Sequence, residues 1–97
     1  MASSGYTETL AADGATTWQA FVGPVVLKLT GASFGGGSAQ LQERNTEGAT
    51  VDVAGGLFTV ATHTVFDYPP DSVTELRVDL TGSSTPTLPV TLQGKRL

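Results

Sequence analysis

Apolar and polar residues alternate with a two-residue period along most of this chain, and Gly and Pro interrupt any window long enough for three helical turns. Val25, Leu27 and Leu29 point one way while Lys28 points the other. Ala39 and Leu41 alternate with Gln40, Gln42 and Arg44, and Leu76, Val78 and Leu80 alternate with Glu75, Arg77 and Asp79. Each run predicts a half-buried strand. Leu88, Val90 and Leu92 predict a last strand with Pro89 on the opposite parity, as an edge strand tolerates. Near the start, residues 6–11 and 15–22 flank the turn dipeptide Asp13-Gly14 and predict a hairpin, with Trp18, Ala20 and Val22 sharing the core face.

Between these runs the breaks are equally plain. Gly23-Pro24 interrupts the chain before residues 25–30, and Gly35-Gly36-Gly37 predicts a bend or wide bulge. A short strand is expected at residues 51–53. Residues 57–68 are too long for one simple strand: Phe58, Val60, Phe66 and Tyr68 fall on one parity and Ala61, His63 and Val65 on the other, so a register change is expected near residues 62–64. Pro69-Pro70-Asp71 stops pairing before residues 72–80.

About eight short antiparallel strands with regularly spaced loops predict an all-β fold, a single β-sandwich of jelly-roll type over residues 6–97, preceded by a flexible N-terminal arm at residues 1–5. Trp18, Leu27, Leu41, Val60, Leu76, Val78 and Val90 are the expected inward set. A chain of 97 residues is one domain. A domain this small buries a modest share of its surface, so a homo-oligomer, with a trimer favoured, or docking on a larger body is expected to add stability.

Charge and cysteine content narrow the partners. Only 14% of residues are charged, the formal net charge is −4, and the five basic residues lie scattered apart from Lys95-Arg96, so no cationic stripe is offered to a phosphate backbone. Nucleic acid is not an expected partner. The absence of cysteine removes disulfides and thiolate metal sites. No apolar run approaches the roughly 20 residues of a membrane-crossing helix. The first residues lack the basic start and apolar stretch of a secretory signal, so the expectation is assembly in the cytoplasm and no membrane partner.

Candidate chemistry is sparse. His63 is the sole histidine, so a Ser-His-Asp site would have to use it as base, and a metal site would have to combine it with Asp67 or Asp71. No ligand spacing supports either, and an exposed strand position is the simpler assignment. Asp67, Asp71 and Asp79 are expected near the Pro-Pro corner, and Glu43, Glu47 and Asp52 flank another turn, but no calcium-loop pattern appears and outward acids ordinarily keep a sheet soluble. Of the aromatic residues, Tyr6, Tyr68 and Phe21 are the ones expected outward, where rings serve sugar-binding modules as platforms; Trp18 is expected in the core. No catalytic residue, metal ligand or cofactor is expected, and the protein is not expected to be an enzyme.

Residues 31–42, Gly-Ala-Ser-Phe-Gly-Gly-Gly-Ser-Ala-Gln-Leu-Gln, followed by a polar turn, a Thr-rich strand and the late segment Leu76-Arg77-Val78-Asp79-Leu80-Thr81-Gly82, resemble the small β-sandwich virion proteins of tailed bacteriophages. The resemblance spans roughly residues 5–93. It implies a structural role in the virion without catalytic residues, with capsid decoration or cement as the expected function, the major capsid protein of the shell as the expected partner, and the virion as the expected location. Head fibre, tail or connector components are variants of that class. A carbohydrate-binding or adhesin-like module using Tyr6, Tyr68 and exposed acids is the alternative of a different kind.

Overall fold

The structure is a computed structural model that describes residues 3–30, 33–44 and 47–96. Eight strands occupy these residues: β1 (Ser3–Leu10), β2 (Gly14–Ala15), β3 (Gln19–Leu29), β4 (Ser38–Arg44), β5 (Thr50–Phe58), β6 (Thr62–Phe66), β7 (Val73–Thr81) and β8 (Leu88–Arg96), and no helix is found among the described residues. All pair antiparallel in one sheet of order β1-β8-β3-β7-β4-β5, with β2 joining β7 and β6 joining β3. Six strands side by side at about 4.8 Å would make a ribbon one layer thick. The thinnest dimension of the Cα framework is 20 Å, so the sheet is folded over on itself.

Curling turns one face of the sheet into the core. Phe21, Val25, Leu27 and Leu29 of β3, Ala39 and Leu41 of β4, Leu76, Val78 and Leu80 of β7, and Leu88, Val90 and Leu92 of β8 are all buried and form one cluster with Leu10 and Phe34. Val53, Phe58, Phe66 and Tyr68 pack against it from the flank. Alternation therefore names the buried residues of β4, β7 and β8 and of the second half of β3 correctly, because each has a partner on both sides and the extra residues at the register shifts fall in β5 and at Gly23-Pro24, outside these runs.

Strand β3 shapes the whole. Its first half pairs with β7 from Gln19 opposite Leu76 to Val22 opposite Val73, and its second half pairs with β6 from Val25 opposite Phe66 to Leu29 opposite Thr62. The switch falls at Gly23-Pro24, where β3 gains two residues relative to β8. Gly23 has φ of 80° and lies against Pro70, so the residues joining β6 to β7 fill the gap opened by the kink.

Several expectations are corrected. Residues 6–11 and 15–22 do not form a hairpin: β1 pairs with β8, and the chain after Asp13-Gly14 crosses to β7. The Asp13 carboxylate accepts the Gly82 and Ser83 amides and the Ser83 hydroxyl, so this corner is tied to the loop after β7. Strand β1 begins at Ser3, pairing Ser3 to Gly5 with Lys95 to Gln93, so these residues of the expected arm are sheet; Met1 and Ala2 lie outside the described residues. Strand β8 lies between β1 and β3 and is no edge strand; Pro89 sits one residue beyond the last position paired with β3, where its missing N–H leaves that ladder intact. The break expected near residues 62–64 falls earlier, after Phe58, and puts Val60 in a bend at 68% exposure, not in the core.

Candidate functional site

Thr16 is where the chain departs from simple alternation. Its amide donates to the Val78 carbonyl and its hydroxyl accepts the Val78 amide, a side-chain oxygen standing in for the backbone carbonyl of a regular ladder. Between Ala15 opposite Asp79 and Gln19 opposite Leu76 the strand holds one extra residue. Such a bulge reverses the sense of everything after it. Phe21 goes to the core at 0% exposure, and Trp18, Ala20 and Val22 share a face, as alternation indicates, but the outward one.

Outside the sheet Trp18 meets two cations. The guanidinium carbons of Arg44 and Arg77 each lie 4.6 Å from its ring centroid, the geometry of cation–π contact. Arg44 also holds Glu75 through two parallel bonds, Nε to Oε1 at 3.2 Å and Nη2 to Oε2 at 2.7 Å. That bond keeps the Glu75 carboxyl below its usual range and raises Arg44. Arg77 donates from Nε to Gln42 Oε1 at 2.9 Å, and Gln42 in turn donates to Asp52 at 3.0 Å. Trp18, just before β3, and the outward rows of β7, β4 and β5 are thus linked side chain to side chain, since Gln42 stands opposite both Arg77 and Asp52, and Arg44 opposite Glu75.

Within this network Arg77 has a neutral amide for a partner where Arg44 has a carboxylate. Arg44 with Glu75 is the one ion pair among the described residues. The Arg77 fork is therefore oriented by Trp18 and Gln42 while its terminal nitrogens remain able to donate to an acid from outside. Trp and Arg are also the residue types that most often dominate binding energy at interfaces. Sequence pattern missed this site because the bulge was invisible to it; the signal was the buried-polar role of Thr16, which a plain alternation count ignores.

The residues weighed as candidate chemistry lie apart from one another. His63 faces outward on β6 opposite Lys28. Asp79 lies toward the far end of β7, about 20 Å along the strand from the Pro-Pro corner that holds Asp67 and Asp71. Asp52 is taken up by Gln42, and no group of three or more His, Cys, Asp or Glu residues suited to a metal occurs among the described residues. Of the three aromatic residues expected outward, Phe21 is corrected to the core and Tyr68 packs against it, while Tyr6 is half-buried and donates to Glu8 at 2.5 Å. Glu8 also accepts the Thr17 amide at 3.0 Å, pinning β1 to the bulge, and these two bonds lower its carboxyl below the usual range. Comparison with protein-family models, curated proteins and solved structures found no match.

Proposed function

We propose that this chain is a structural protein of a tailed-phage virion, a decoration or cement protein that binds the outer shell as an oligomer with the major capsid protein as its partner. The observation that carries this reading is the outward Trp18-Arg44-Arg77 surface. A chain with few charges devotes its only tryptophan and two of its three arginines to one solvent-facing patch. That composition suits contact with a protein surface, with Arg77 taking a carboxylate of the shell and Trp18 supplying rigid area beneath it. Its action is mechanical: many copies, each bound modestly at a junction of shell subunits, add up to a reinforced particle. The curled sheet fits this role as a small β-sandwich of jelly-roll type in which β3 belongs to both layers.

The test is to strip the protein from particles, add it back, and measure binding of the original chain and of Arg77→Gln and Trp18→Ala. We expect each substitution to weaken binding by about tenfold or more while the melting transition stays cooperative. Equal binding by all three, or no binding by the original chain, overturns the proposal.

A further inference from the structure

We propose that Asp13-Gly14 is a modification site, at which the chain isomerises to isoaspartate through a succinimide, and that the loop after β7 holds this site closed while the chain is folded. The proposal goes beyond the virion reading and does not rest on it. Asp13-Gly14 is the sole Asp-Gly or Asn-Gly pair in the sequence. Such a pair cyclises more readily than other aspartyl sequences, because glycine carries no Cβ to hinder the approach of its amide nitrogen to the preceding side-chain carboxyl.

The step needs no reagent but water. The Gly14 nitrogen bonds to Cγ of the Asp13 acid, and its proton leaves with the carboxyl's hydroxyl as water, closing the ring. Water then opens the ring at either carbonyl. Breaking the new bond to Cγ restores aspartate. Breaking the original peptide bond leaves the main chain running through Cβ and Cγ, one carbon longer, with the former main-chain carbonyl carbon as a free carboxylate.

At Gly14 the way is open: Asp13 is exposed, and a Cβ on Gly14, whose φ is 147°, would meet open space. What is held is the carboxylate. Its Oδ2 accepts the Gly82 amide at 3.1 Å, and its Oδ1 accepts the Ser83 amide at 2.9 Å and the Ser83 hydroxyl. With both oxygens tied to that loop the side chain is not free to turn, and a ring closure that demands its own alignment of carbon and nitrogen waits for these bonds to break. The same bonds, the Ser83 hydroxyl foremost, hold the carboxyl below its usual range and so keep it ionised. An ionised carboxyl has no hydroxyl to release as water, which slows the closure a second time. The Ser84 amide donates to the Gly35 carbonyl, so the loop that guards Asp13 is itself tied to the glycine bend before β4. Opening the site therefore takes a local loosening of this end of the molecule. Isomerisation would in turn displace Gly14 from Leu80 and Ala15 from Asp79, since the lengthened main chain leads straight into β2.

The test holds the purified chain in mildly acidic buffer at physiological temperature and follows isoaspartate by isoaspartyl methyltransferase labelling, located by fragmentation of the tryptic peptide of residues 1–28. The folded chain, the chain unfolded in urea, Ser83→Ala and Ser83→Thr are compared. The expected result is label at residue 13, formed about tenfold or more faster in the unfolded chain than in the folded one, and about threefold or more faster in Ser83→Ala with its cooperative melt retained. Ser83→Thr, which keeps the hydroxyl, should be as slow as the original, and the isomerised fraction should melt below the rest. An unfolded chain without label at residue 13, a folded chain that isomerises as fast as the unfolded one, a folded Ser83→Ala no faster than the original, or Ser83→Thr as fast as Ser83→Ala overturns the proposal.

Discussion

Thr16 performs a task that a methyl group cannot: its hydroxyl satisfies the buried Val78 amide at the bulge. Thr16→Val should cost about 1 to 3 kcal/mol in denaturant unfolding, because that amide would be left without an acceptor, whereas Thr16→Ser should keep most of the stability. Tyr68 shows the opposite case. Its hydroxyl is buried with no hydrogen-bond partner among the described residues. Burial, reinforced by the neighbouring Glu43 carboxylate, pushes its phenol from 10.0 up to about 12. Between those values the folded chain holds a proton that the unfolded chain has released, so stability is intact below pH 10 and falls as pH rises toward about 12. Tyr68→Phe should reduce that alkaline loss and be as stable as the original chain or more so at neutral pH, measured by thermal melts across the range.

Among elements, the glycine bend before β4 separates two effects that coincide in most turns. Gly35 and Gly36 have φ of 63° and 79°, both left-handed. A Cβ on Gly35 would collide with the backbone of Ser84, whose amide donates to the Gly35 carbonyl, while a Cβ on Gly36 would meet open space. Gly36→Ala should therefore cost only the conformational strain, about 1 to 2 kcal/mol, and Gly35→Ala about 3 kcal/mol or more, by denaturant unfolding. The bend itself was legible from three consecutive glycines, as were the core faces of β4, β7 and β8 from their alternation. What alternation could not show was how many residues each strand inserts against its neighbour. One extra residue near Thr16 turned Trp18 outward, and the bend after Phe58 released Val60. Pairing partners were also out of reach, because joining β1 to β8 rather than to the next strand is decided by distant contacts.

On the scale of the whole molecule, one buried cluster holds every strand except the two-residue β2 and the flanking β5 and β6, which pack on it by Val53, Phe58 and Phe66. Val78 at its centre has no exposed surface, so Val78→Asp should abolish the cooperative melt, since a domain of this size has only a few kcal/mol to lose. Acid should loosen the same structure from its rim. Glu8, Asp13 and Glu75 all have carboxyls below their ordinary values, each through hydrogen bonds made only in the folded chain. Their contribution is therefore fully present above the ordinary carboxylate range and lost as pH falls from there through the lowered values of the folded chain. The role proposed for the molecule is tested most directly by counting its copies in purified phage particles by quantitative mass spectrometry. A decoration protein is predicted at a copy number comparable with that of the major shell protein, whereas a handful of copies per particle, or none, would contradict a reinforcing role on the shell.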